Sequence, residues 1–220
     1  MRLTFLCGFI LFLLSCSSIK VSNNIAPGYI QAFQSINTAI FGYKDNNIPK
    51  ELIYEIPYAS MIVKIGKGPQ GLMILESKKN KNELWISADK VFIGLKNGRI
   101  TSTEGLDNNL TNLVISKTIS DLSGVENGKV YKHYYSYDKP RLLYLEVEAT
   151  YKSLGYRDVS LFDRKTSLNL VEEHLRNKYL GWKAINRYWH DSDGFVWKSE
   201  QIISPKLPVI QIEVTKKPSS

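Results

Sequence analysis

Residues 130–151 read VYKHYYSYDKPRLLYLEVEATY. Within Val130–Tyr137, the residues Tyr131, His133, Tyr135 and Tyr137 fall on one face at a period of two. Asp138-Lys139-Pro140 then turns the chain. Beyond it, Leu143, Leu145, Val147, Ala149 and Tyr151 alternate against Tyr144, Glu146, Glu148 and Thr150. Successive side chains of a strand point to opposite faces, so this pattern predicts two antiparallel strands with one face on a core and one in water.

The same texture extends in both directions. Met61–Ile65 and Leu72–Glu76 flank Gly66-Lys67-Gly68-Pro69-Gln70-Gly71, which reads as a hairpin loop. Leu84–Leu95 and Ile100–Thr103 flank Asn97-Gly98, a strong short hairpin signal because both turn positions need positive φ. Gly155–Phe162, Thr166–Arg176, Trp182–Trp189, Phe195–Ile203 and Val209–Thr215 continue the series, although Leu168–Leu175 also reads as a helical turn. Turn signals recurring about every ten residues belong to large antiparallel sheets, sandwiches and barrels. Before this region, Ile30, Phe33, Ile36 and Ile40 lie near helical spacing, and Gly42 would stop a helix over 29–41. The expectation is a mainly β fold. A large antiparallel sheet curls into a partial barrel or sandwich, with one N-terminal helix and few short ones. No second linker or repeat appears, so 29–220 reads as a single β-rich domain.

The N-terminus carries a different signal. Arg2 precedes the apolar run Leu3–Leu14 and then Ser15-Cys16. A charge, a short apolar segment and a small residue before a cysteine mark a secretory signal over 1–15. That run is shorter than the roughly 20 apolar residues a membrane span needs. Leu13-Leu14-Ser15-Cys16 resembles the lipobox of bacterial lipoproteins. The resemblance implies cleavage before Cys16 and acylation of that residue. One acyl chain, at about 0.8 kcal/mol per buried CH₂, binds membranes marginally, whereas two or more anchor stably. By the same resemblance, Ser17 rather than Asp after the cysteine points to the outer membrane. Residues 16–28, with Asn23-Asn24 and Pro27-Gly28, read as the acylated tether.

Composition narrows the chemistry. The chain has two cysteines, and loss of Cys7 with the signal leaves Cys16 alone, so neither a disulfide nor a thiolate metal site can form. The net charge of +8 is spread without a long basic block, which reads as a solvated surface, and no nucleic-acid motif is present. His133, His174 and His190 are scattered singly, against the convergent ligands a metal needs. Asp191-Ser192-Asp193-Gly194 starts like a calcium loop, but Ile202 stands where the bidentate Glu belongs; a hairpin turn fits better. Glycoside chemistry would use two carboxylates facing one groove. Glu146 and Glu148 lie on a wet strand face, and Glu172-Glu173 are adjacent, so neither pair reads as such a site. No catalytic residue, metal or cofactor is expected. The aromatic cluster Tyr131, Tyr134, Tyr135, Tyr137, Tyr144 and Tyr151 reads mainly as sheet lining. Alternation places Tyr134 and Tyr144 opposite the main apolar faces of their strands, making them candidate sugar or partner contacts.

Three stretches together resemble one family. They are Ile56-Pro57-Tyr58-Ala59-Ser60-Met61; Glu83-Leu84-Trp85-Ile86-Ser87-Ala88-Asp89 with Asn97-Gly98-Arg99 and Gly105-Leu106-Asp107-Asn108-Asn109-Leu110; and Phe195-Val196-Trp197-Lys198-Ser199-Glu200-Gln201 with Pro208-Val209-Ile210 and Lys217-Pro218. With the lipobox they resemble the YjbF/GfcB-type lipoproteins of exopolysaccharide and group 4 capsule operons. The resemblance implies a periplasm-facing outer-membrane lipoprotein, a non-enzymatic accessory factor in polysaccharide assembly or export. Its implied partners are the membrane through the lipid anchor, an outer-membrane β-barrel protein of the same operon, and the polysaccharide itself. Shared positions read as structural: Pro57 at a strand entry, Asn97-Gly98 in a turn, Trp85 and Trp197 as large core or interface side chains. Two alternatives stay open: a carrier of lipid or acyl chains in an apolar cavity, and a polysaccharide-modifying enzyme.

Overall fold

The computed structural model describes residues 48–115 and 122–219. The signal peptide, Cys16, the tether and the helix expected over 29–41 lie outside the described residues. A short helix, α1 (Lys50–Glu55), precedes twelve strands: β1 (Ser60–Ile65), β2 (Gln70–Lys79), β3 (Asn82–Ser87), β4 (Phe92–Lys96), β5 (Arg99–Glu104), β6 (Leu110–Val114), β7 (Val130–Tyr137), β8 (Leu142–Ser160), β9 (Lys165–Asn177), β10 (Trp182–His190), β11 (Val196–Gln201) and β12 (Ile210–Lys216).

All twelve form one sheet in the order β5-β4-β3-β2-β1-β12-β11-β10-β9-β8-β7-β6. Every neighbour is also a sequence neighbour except β1 and β12, which pair antiparallel from Ser60↔Lys216 to Ile65↔Ile210. The meander therefore closes on itself through its two ends, and the ladder is interrupted between β5 and β6. The Thr103 side chain bridges that seam, and Asn109 and Asp138 hold the loop beside it. The Leu110 N–H donates to Thr103 Oγ1 at 3.0 Å, and Asn109 Oδ1 accepts the Leu106 N–H at 3.0 Å. Asp138 accepts from the Asn109 backbone and side chain, both at 2.8 Å. The result is a nearly closed, barrel-like sheet.

Alternation decides what fills it. In β10, Trp182, Ala184, Asn186, Tyr188 and His190 are buried in strict period two. The interior is packed with Trp85, Tyr135, Tyr151 and Tyr188, and Tyr135 meets Trp182 edge-on at 6.1 Å. The runs Met61–Val63 and Leu72–Ile74 are buried on both faces, as continuous apolar strands should be. Met61, Val63 and Met73 point into the barrel, while Ile62, Leu72, Ile74 and Ile86 meet Ile48, Ile53 and Ile56 on the outside. Six residues cannot hold a helix alone, so α1 exists through this packing.

Three expectations need correction and one open alternative is settled. Gly155–Phe162 is no separate strand; as far as Ser160 it continues β8, and a bulge between Ser153 and Tyr156 absorbs Gly155 at φ +75°. The run Leu84–Leu95 is two strands, because Ser87 accepts the Val91 N–H and Lys90 takes a positive φ to reverse the chain. Leu168–Leu175, left open between strand and helical turn, is strand throughout, as the run Thr166–Arg176 suggested. Leu143 is exposed rather than buried, for a reason seen at Tyr144 below.

Candidate functional site

Two polar assemblies stand out, one inside the barrel and one outside. Inside, β9 turns Glu173 into the interior between Val171 and Leu175. Its carboxylate accepts four bonds. Tyr151 Oη donates at 2.6 Å and Arg99 Nη2 lies at 3.2 Å on Oε1; Tyr188 Oη at 2.8 Å and Asn186 Nδ2 at 2.9 Å donate to Oε2. The Tyr151 hydroxyl also accepts from Arg99 Nη2 at 2.9 Å and lies 2.8 Å from His133 Nε2. Its one proton is spent on Glu173, so His133 carries its proton on Nε2. The Arg99 guanidinium sits 5.4 Å from the Tyr188 ring centre and 5.6 Å from that of Tyr151. Burial pushes the Glu173 carboxyl up, but the Arg99 charge and the donors from His133 and Tyr151 outweigh it and hold it well below the usual carboxylate range. Burial and the Glu173 charge push the Tyr188 hydroxyl up, so it stays a donor. Gln201 ties the knot to the β4–β5 hairpin, accepting the Ile100 N–H and donating to the Gly98 carbonyl, both at 2.9 Å. Every member is buried, so this knot braces the barrel and meets no solute.

Outside, the register lines up charges across four strands: Lys132 faces Glu148, which faces Arg176, which faces Lys183. One step along, Tyr134 faces Glu146. Lys132 pairs with Glu146 at 3.0 Å and Lys178 with Glu148 at 2.9 Å. Between β7 and β8 the register shifts: Tyr135 faces Leu145 but Tyr137 faces Leu142, so β8 carries one extra residue. Tyr144 sits in that bulge at φ +54°, and its N–H donates to Ser136 Oγ at 3.2 Å. A bulge of this kind favours glycine, and a bulky residue held there costs on the order of 1–3 kcal/mol. The bulge throws both Leu143 and Tyr144 outward, with Tyr144 66% exposed. A groove of about 560 Å³ runs between Tyr144 and Tyr179, floored by Glu146, Glu148, Arg176 and Lys178. Tyr179, in the β9–β10 turn, is 93% exposed.

Of the candidates read from sequence, Tyr134 and Tyr144 share this outer face; Tyr134 is half-buried and outside the groove lining. Cys16 lies outside the described residues. Tyr179 escaped the reading, though a large aromatic in the turn Lys178-Tyr179-Leu180-Gly181 was its visible signal. Glu172 and Glu173 point to opposite faces, Glu172 bonding Arg187 at 3.1 Å. The Asp191 carboxylate is consumed by its own turn, accepting from Asp193 N–H, Phe195 N–H and Trp197 Nε1. Among the described residues, no group of three or more His, Cys, Asp or Glu is placed to hold a metal. An apolar cleft of about 460 Å³ opens beside Val63, Ile65, Met73, Val91 and Ile93. Among the described residues, no helix is long and apolar enough to cross a membrane.

Comparisons with known proteins agree with this architecture. The chain is similar to a hypothetical lipoprotein, YmcC, of Escherichia coli (K12), whose crystal structure superposes with a TM-score of 0.71 over 86% of this chain and 96% of that one, at 18% identity. That likeness establishes the fold. The uncharacterized lipoprotein YjbF of Escherichia coli (strain K12) is 24% identical over 172 residues, 77% of this chain and 80% of the relative. The uncharacterized lipoprotein GfcB of the same strain is 22% identical over 219 residues, 98% of this chain and 97% of the relative. The model of the family described as group 4 capsule polysaccharide lipoprotein gfcB, YjbF matches residues 33–215. The chain therefore belongs to the YjbF family of group 4 capsule polysaccharide lipoproteins.

Proposed function

We propose that this protein is a non-enzymatic accessory factor in exopolysaccharide or capsule assembly and export. It is acylated on Cys16, held at the outer membrane facing the periplasm, and docks an outer-membrane β-barrel protein of the same operon. The observation that carries this reading is the family match over 33–215. The barrel adds physical support. Its interior is filled by Trp85, Tyr135, Tyr151 and Tyr188, so such a domain acts through its surface. The three carboxylates closest to a candidate site are engaged: Glu173 in the buried knot, Glu146 and Glu148 in ion pairs with Lys132 and Lys178.

The test compares the wild-type chain with Cys16→Ala carrying a soluble secretion signal, in cells that make the polymer. Loss of surface polymer with continued capture of the barrel protein is the expected result. Normal export by the unanchored form, with no barrel captured, would overturn the reading. One observation favours a second reading: the apolar cleft beside Met73 and Ile93 has a volume suited to a small apolar ligand. On that reading, native mass spectrometry of the purified protein finds a non-covalently bound acyl chain; on the first it finds none.

A further inference from the structure

We propose that the groove between Tyr144 and Tyr179 binds a segment of an acidic polysaccharide, with the two tyrosines as platforms for sugar rings and Arg176 as the partner of a sugar carboxylate. This deepens the reading above and rests on it for the class of polymer.

Three independent observations converge here. First, the chain places Tyr144 at a positive-φ bulge position where glycine is the easy choice, and the consequence is an aromatic ring held out in water. Conformational strain retained for an exposed side chain is not explained by packing. Second, Tyr179 supplies a second exposed aromatic from a different element, lining the same groove. A pyranose has an apolar C–H face and a rim of hydroxyls, so it suits a rigid aromatic face bordered by hydrogen-bonding groups. Glu146 and Glu148 in the groove floor are acceptors for such hydroxyls.

Third, the local charge is biased. The row holds Lys132, Arg176, Lys178 and Lys183 against the carboxylates of Glu146 and Glu148. Lys132 and Lys178 are committed to those carboxylates. Among the described residues, Arg176 and Lys183 form no ion pair, which leaves two cations side by side on neighbouring strands. A guanidinium presents a planar fork of donors that matches a carboxylate. Polymers bearing uronic acids fit this groove, whereas neutral glucans offer Arg176 hydroxyl acceptors but no opposite charge.

The experiment measures retention of the detergent-solubilised, full-length lipoprotein on immobilised polygalacturonate and on neutral dextran. The wild type should be retained on polygalacturonate and about tenfold less on dextran. Tyr144→Gly relieves the positive φ, so it folds at least as well, yet it should weaken retention about tenfold, as should Tyr179→Ala. Tyr144→Phe should retain binding, because the ring is kept. Arg176→Ala should abolish the preference for the acidic polymer. Absence of wild-type retention on polygalacturonate, or equal retention of wild type and Tyr144→Gly, overturns the proposal. Unchanged sugar retention with loss of barrel-protein capture in these variants also overturns it and reassigns the face to a protein partner. If retention fails while surface polymer still depends on the anchored chain, the groove falls and the accessory function stands. If the groove binds but deleting the chain leaves surface polymer unchanged, the accessory function falls instead.

Discussion

Glu173 is the residue on which the interior depends most. A carboxylate buried among apolar side chains is tolerable only with its charge balanced and its lone pairs filled. Arg99, Tyr151, Tyr188 and Asn186 meet both requirements from β5, β8 and β10, with His133 of β7 bonded to the same hydroxyl. Replacing Glu173 by Gln leaves the Arg99 charge buried without its counter-ion, which should cost about 3–5 kcal/mol. Urea unfolding should show the midpoint falling with an unchanged slope. The pH dependence follows from the depressed carboxyl. Unfolded, the group titrates near 4.5; folded, it titrates far lower. Its contribution is therefore complete above that range and declines as pH falls below about 4.5, vanishing only beneath the folded value. Thermal melts from pH 7 to 3 should show a steeper loss for wild type than for Glu173→Gln. Glu173 shares the parity of Val171 and Leu175, a hint that its mere adjacency to Glu172 did not bring out. Its partners come from other strands across the barrel, which no local pattern names.

Among the elements, the β4–β5 hairpin shows turn chemistry and tertiary packing acting on the same residue. Asn97 and Gly98 take φ +51° and +76°, the positive values a two-residue reversal needs. Lys96 then faces Arg99, which sets the register of β5. A Cβ on Gly98 would also overlap the Val196 side chain of β11. Gly98→Ala should therefore destabilise the fold by about 2–4 kcal/mol, combining backbone strain with overpacking. Differential scanning calorimetry would read the lower Tm. A melting temperature equal to wild type would mean that neither effect operates. The turn was legible because Asn-Gly has one strong structural meaning. The Val196 approach was not, since it joins elements nearly a hundred residues apart. The β8 strand teaches the converse: perfect alternation from Leu143 to Tyr151 predicted Leu143 inside, and a one-residue bulge at Tyr144 reversed it.

For the whole molecule, closure is the property that matters, and it hangs on the seam between β5 and β6. Backbone pairing stops there, and Thr103 Oγ1 supplies the acceptor that the Leu110 N–H would otherwise lack. Thr103→Val keeps the shape and removes that acceptor, so a buried N–H goes unsatisfied at about 1–3 kcal/mol. Hydrogen exchange should show the Leu110 amide losing protection first, with the ladder amides of β1 and β12 unaffected. Uniform loss of protection across both regions would instead mean that the seam has no separate identity. Sequence by itself determined the class of this fold: period-two burial, turn residues every ten or so positions and the apolar runs of β1 and β2 all act locally, through the pleat and through φ. It also carried the family resemblance that the match over 33–215 confirms. Only the tertiary structure decided that the sheet closes through β1 and β12, that four other strands converge on the buried carboxylate of β9, and that Tyr144 and Tyr179 share a groove. Alternation fixes which face a side chain occupies, but the partner it meets depends on strand order and shear, and those are settled by the packing of the whole chain at once.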